Sequence, residues 1–104
     1  MAVIYRGVRT PTGVVVSACR DADPIPLAHS VRHSPDGFEW GFMGSGPMDL
    51  AYSILCDFGG AGLANVIYRP FAKTVIATLP HNDWSLTAEQ IAEFLVGAAI
   101  GEEA

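Results

Sequence analysis

The apolar positions of the first fifty residues change rhythm twice. "AVIYRGVR" and "GVVVSA" are β-branched runs on either side of "TPTG", so residues 2–9 and 13–18 are predicted to pair as a hairpin. "DADPIP" (residues 21–26) carries two prolines that lack ladder donors and is excluded from a sheet interior. "SPDG" at 34–37 places Pro and Gly at the second and fourth positions of a type I turn, which predicts a second hairpin between 27–33 and 38–43. Alternation in the second of these strands puts Phe38, Trp40 and Phe42 on one face.

Beyond residue 44 the period lengthens. Pro47 suits a first helical position, Asp49 complements the positive end of a helix dipole, and Leu50, Ala51, Ile54, Leu55 and Phe58 form one stripe, so 47–58 is predicted helical and "GG" at 59–60 ends it. Residues 61–72 fit both a strand, through Val66-Ile67-Tyr68, and a helical stripe of Leu63, Val66, Ile67 and Phe71; we read a short helix broken near Pro70. "TVIATLP" at 74–80 reads as a buried strand. In "WSLTAEQIAEFLVGAAI", Thr87 and Gln90 form a capping box and Leu86 and Ile91 a hydrophobic staple, opening a helix over 88–99. The order β-β-β-β-α-α-β-α predicts an α+β fold, a mostly antiparallel sheet of about five strands with two to three helices on one face. The predicted core is Phe38, Phe42, Leu50, Ile54, Leu55, Val75, Ile91, Phe94 and Leu95.

Length and composition narrow this picture. The 104 residues suffice for one domain, 1–104. Half are hydrophobic and 16% charged, with mean hydropathy +0.30, an excess that predicts a homo-oligomer, most simply a dimer. A formal charge of −5 disfavours nucleic acid as a partner. No apolar run reaches the roughly 18–20 residues that span a bilayer, and no leader pattern opens the chain, so no membrane partner and a cytoplasmic location are expected. Cys19 and Cys56 then read as reduced thiols.

Candidate chemistry is sparse. His29 and His33 on a strand would stand about 13 Å apart, and with His81 they show no zinc spacing, so neither metal nor cofactor is expected. No nucleophile elbow or paired carboxylates occur, and no catalytic residues are assigned. The stretch Gly44-Ser45-Gly46-Pro47 has two readings. Unpaired N–H groups reached through glycines at a helix start can cradle an anion, or the glycines turn a corner and Ser45 or Gly46 caps the helix. If it is a cradle, Trp40 and Trp84 are candidate pocket walls, since an indole keeps its N–H at a polar boundary, and Arg6, Arg32 or Arg69 are candidate counter-charges.

The opening "YRG", the "GFEWG" segment, "GSGP" before a helix, the late "VIATLP" and the tryptophan followed by an "LT" cap together resemble the family called domain of unknown function 6166, small proteins of phages, prophages and bacteria. Where members of that family usually have Tyr then Gly after "GFEWG", this chain has Phe42 and Met43. The resemblance implies a mobile-element setting in a host cytoplasm. Two functional classes follow: a non-catalytic binder of a small anionic, nucleotide-like ligand through Trp40, Gly44, Ser45, Gly46, Arg6, Arg32 and Trp84, acting in counter-defence by sequestering a nucleotide immune signal; or an inhibitor that occludes a host protein by direct contact. An enzyme of unknown reaction is the third.

Overall fold

The computed structural model describes residues 2–21, 23–30 and 37–103, with 99–103 described by backbone alone. The first hairpin forms as its pattern requires. β1 (Ile4–Thr10) and β2 (Gly13–Cys19) pair antiparallel from Ile4↔Cys19 to Thr10↔Gly13, and the Thr10 hydroxyl donates to the Gly13 carbonyl at 2.6 Å to close the turn. β3 (Pro24–Pro26) adds to β2 at the sheet edge, where a proline's missing N–H leaves no ladder bond unmade. β4 (Trp84–Thr87) pairs antiparallel with β1 on the other side, giving the order β3-β2-β1-β4. The fold is α+β, with four strands among the described residues where about five were expected.

Alternation along β1 and its neighbours sorts the sheet's faces. Tyr5, Val16, Ala18, Trp84 and Leu86 are buried against the helices, while Arg6, Val8 and Val15 are exposed on the opposite face. α1 (Ser45–Gly59) runs through the middle of the core, with Leu50, Ala51, Ile54 and Leu55 fully buried. Gly60, at φ 93°, ends α1 with its N–H on the Cys56 carbonyl and turns the chain into α2 (Ala61–Thr74). α3 (Ala88–Glu103) opens on the expected capping box: Gln90 N–H donates to Thr87 Oγ1 at 3.1 Å, and Thr87 N–H donates to Gln90 Oε1 at 2.8 Å. Edge-to-face rings join the helices, Tyr52 on Tyr68 and Phe71 on Phe94.

Several expectations are corrected. Residues 38–43 form no strand: Gly41, at φ 86°, turns the chain, so Trp40 goes into the core and Phe42 does not follow it. Phe42 is 50% exposed rather than in the core. Residues 27–30 form no strand either, and 31–36, the rest of that predicted hairpin, lie outside the described residues. Residues 74–80 are the end of α2 and a 3₁₀ turn over Ile76–Thr78, in which the Thr78 hydroxyl donates to the Thr74 and Val75 carbonyls at 3.0 Å. The apolar run marks the i, i+3 pair Ile76 and Leu79, not a strand. α2 passes through the exposed Pro70 unbroken, since Ala64, Tyr68, Phe71 and Ala72 hold its inner face in the core. Asp49 lies past the first turn of α1 and is fully buried, so it does not sit at the positive end of the dipole as expected. Of the predicted core, Leu50, Ile54, Leu55 and Ile91 are fully buried, whereas Phe38, Val75, Phe94 and Leu95 pack at its margin.

Leu55 has no exposed surface. Leu55→Ala is therefore expected to lower unfolding free energy by about 2–5 kcal/mol in urea denaturation; a loss below about 0.5 kcal/mol would contradict its place in the core.

Candidate functional site

The segment 37–44 leads into α1 without regular backbone pairing, so side chains fix it. Trp40 is fully buried, its indole N–H donating to the carbonyls of His81 and Asn82 at 2.9 and 3.1 Å. Its ring meets Trp84 edge-on, with centroids 5.5 Å apart. Gly41 N–H donates to the Ile76 carbonyl at 3.0 Å. Arg9, on the inward-facing parity of β1 with Tyr5 and Gly7, lies over the Trp40 ring at 4.5 Å and grips Glu39 bidentately at 2.8 and 3.1 Å.

These contacts frame a cleft of about 580 Å³ between the β1–β2 turn, residues 37–42 and the start of α1, lined by Arg9, Phe38, Glu39, Phe42 and the bend Gly44-Ser45-Gly46 among others. No side chain caps α1. Pro47 has no N–H and Met48 N–H bonds the Gly44 carbonyl, so the N–H groups of Ser45 and Gly46 are among the free donors of that helix end in the described residues. Both glycines are accounted for by the chain's own packing. A Cβ on Gly44 would stand 3.0 Å from the Phe42 ring, and one on Gly46 would stand 2.8 Å from Glu39 Cβ.

The predicted site residues therefore part company. Gly44, Ser45 and Gly46 line the cleft together. Trp40 lies beneath it under Arg9, and Trp84 is packed on Gly7, which has no room for a side chain, so neither indole lines this cleft; Trp84 lines a separate hollow with Arg6 and Asp83. Arg6 is exposed on the opposite face of the sheet, beside Val8, and Arg69 lies over Tyr68 at 5.2 Å on α2. Arg32 falls outside the described residues. Arg9 and Phe42 take the places expected of an Arg and a Trp. The parity Tyr5, Gly7, Arg9 was the available signal for the first; nothing local marks the second.

Two further polar clusters hold α1. His29 Nε2 and Asp49 Oδ2 are 2.9 Å apart, with the imidazole against Phe38, and Ser30 N–H donates to Ser53 Oγ at 2.9 Å one turn along. At the other end Asp57 accepts from the Tyr5 hydroxyl at 2.6 Å and from Arg20 at 2.5 Å. Burial pulls the Asp57 carboxyl upward, but the hydrogen bonds from Arg20 and Tyr5 outweigh it and hold it below the ordinary range. Burial and the neighbouring carboxylate push Tyr5 well above the usual phenol value. Arg9 holds the Glu39 carboxyl below its ordinary range against a smaller opposing effect of burial. Cys19 and Cys56 are both free thiols, and among the described residues no three His, Cys, Asp or Glu side chains gather closely enough to hold a metal ion.

Compared with known families, residues 5–97 match the model of the family of unknown function DUF6166. The chain belongs to this family. The matched span begins within β1, ends in α3 and contains the whole cleft, so the site described here lies on the family's shared region. No curated protein and no solved structure matches the chain. No helix among the described residues is long and apolar enough to cross a membrane.

Both lowered carboxyls carry a pH signature. Their stabilisation is present above the unfolded-state carboxylate values, about 4, and is lost as pH falls through the folded-state values. The urea midpoint is expected to drop as pH falls from 5 to 2, in roughly the range set by those carboxylates, and to drop less in Asp57→Asn. An equal acid dependence in that variant would show that the Tyr5–Asp57–Arg20 cluster contributes no pH-linked stability.

Proposed function

We propose that the protein is a non-catalytic binding protein whose cleft takes a small anionic ligand with a flat ring, a nucleotide by class. The observation that carries this is the coincidence, on one cleft, of a half-exposed aromatic ring, Phe42, with the unpaired N–H groups of Ser45 and Gly46 at the start of α1. A ring offers a stacking face to a base, and helix-terminal donors hold phosphate oxygens. The volume suits a mononucleotide better than a polymer. Binding without catalysis is favoured by Glu39, the one acid among the described lining residues, which Arg9 keeps ionised and bidentately engaged and so poorly suited to proton transfer near neutral pH. In the phage or prophage setting that the resemblance implies, the role would be counter-defence in the host cytoplasm, sequestering a nucleotide immune signal.

A second reading, occlusion of a host protein, draws on Phe42 and Met43, adjacent and 50% and 51% exposed. Contact surfaces are enriched in such residues.

A panel of linear and cyclic nucleotides should include one that raises the unfolding temperature, since a ligand at a hundredfold its Kd stabilises by about 2.7 kcal/mol. Phe42→Ala should unfold at the parent's temperature without ligand and bind the hit roughly tenfold more weakly. Undiminished binding by Phe42→Ala would move the ligand elsewhere.

The exposed Val8, Val15 and Ile25 support self-association as well. Sedimentation is expected to give a dimer, twice the 11.0 kDa chain mass; a monomer at high concentration would remove any shared site.

A further inference from the structure

Arg9 reaches the cleft engaged on three sides, and the three differ in kind. Its Nε donates to the His81 carbonyl at 2.6 Å and its guanidinium lies on Trp40 at 4.5 Å, which fixes the plane of the group from behind and below. The outward fork, Nη1 and Nη2, is occupied among the described residues by the Glu39 carboxylate. Glu39 keeps its β-carbon against Gly46 at the start of α1, so its carboxylate is delivered into the cleft from the wall where an anion would sit. The two side chains are 23% and 37% exposed, the carboxylate being the one more open to water and to exchange. A carboxylate and a phosphate or sulfate group offer a guanidinium fork the same pair of oxygens.

We infer that Glu39 is a specificity-determining residue of the cleft, its carboxylate holding the anion position on Arg9 until a ligand oxyanion replaces it. This rests on the proposed ligand-binding role of the cleft. A neutral nucleoside cannot replace the charge that Arg9 would lose, whereas a phosphomonoester can, through two parallel N–H···O bonds. Swinging away gives up the long bond from the Trp40 backbone N–H to Glu39 Oε1, 3.4 Å, and otherwise requires rotation about the outer bonds of the glutamate, with its β-carbon left against Gly46. Arg9 itself does not move, because Trp40 and the His81 carbonyl hold it. Glu39 therefore sets a threshold on ligand charge.

Dissociation constants for AMP, adenosine and inorganic sulfate, measured by calorimetry on the parent, Glu39→Gln and Glu39→Ala, test this, with thermal unfolding confirming that each is folded. Both variants are expected to bind AMP and sulfate roughly three- to tenfold more tightly than the parent, adenosine binding staying unchanged. Adding Arg9→Lys should cancel the gain, since lysine lacks the fork. AMP binding that is equal or weaker in both variants overturns the inference while leaving the cleft's ligand role intact. If no form binds AMP or sulfate, the ligand role falls and the inference with it. A measurement on the parent needs no folded variant: the Glu39 side-chain carboxyl, followed by NMR, should titrate closer to its ordinary value in the AMP complex than in the free protein. The groups facing it, the guanidinium of Arg9 from β1 and the imidazole of His81 from the loop before β4, are present in both states. An unchanged Glu39 titration on saturation overturns displacement.

Discussion

The buried indole of Trp40 is the fixed point on which the rest of the site depends. Residues 37–44 have little backbone pairing of their own, and a segment without a ladder is held by whatever its side chains reach. Trp40 reaches three parts of the molecule at once. Its N–H anchors the loop at His81 and Asn82, its edge meets Trp84 of β4, and its face supports Arg9 of β1. Sheet, loop and connecting segment are thereby held in one geometry, and the start of α1 follows from it, since Gly41 turns the chain immediately afterwards. The absence of a side chain on Gly7 belongs to the same constraint, because Trp84 lies where a Cβ would be.

α1 is held at both ends by carboxylates that the sequence pattern alone would place on a solvated face. Asp49, with no exposed surface, is tolerable there because His29 meets it, and the neighbouring Ser30–Ser53 bond clamps the same stretch of chain to the next turn. Asp57, near the other end, gathers the Tyr5 hydroxyl from the inner strand β1 and Arg20 from just beyond β2. Hydrophobic burial sets which face of α1 points inward, and these pairs set how far along its axis it sits.

What the sequence discloses is the local part of the structure. The β1–β2 hairpin, the α1 stripe and the Thr87–Gln90 box each depend on residues in one contiguous stretch of sequence, where periodicity, turn and capping chemistry operate. The failures lie where a long-range contact overrides the local pattern. "FEWGF" alternates like a strand, but Gly41 breaks the extended run, so Trp40 alone of its three rings is fully buried while Phe38 packs at the core's margin and Phe42 turns outward. "TVIATLP" has strand composition, yet it continues α2, so its apolar residues come in at the spacing of a tight turn. β4 is four residues long, and its strand character comes from β1 alongside it rather than from its own composition. In the site, the glycine bend was legible because a tightly packed corner excludes side chains, and two glycines shortly before a helix stripe mark it. Arg9 and Glu39 were not, because 30 positions separate them and only the fold brings their forks together.

The glycines of the bend illustrate why a motif read without its surroundings can suggest the right place for an incomplete reason. Gly44 and Gly46 suggest a path for a ligand to approach backbone donors, but Phe42 and Glu39 fill the space that their missing side chains leave. The same two residues nevertheless define the cleft. Phe42 is pushed outward against Gly44 and presents its ring to solvent; Glu39, seated against Gly46, meets the fork of Arg9. The bend thus serves packing first, and packing creates the only wall in the described structure where an aromatic face, a fixed cation and free helix-end donors lie on one cleft. A corner and a cradle are not competing descriptions of "GSGP": the close packing that a corner requires is what sets the chemical character of the cleft beside it.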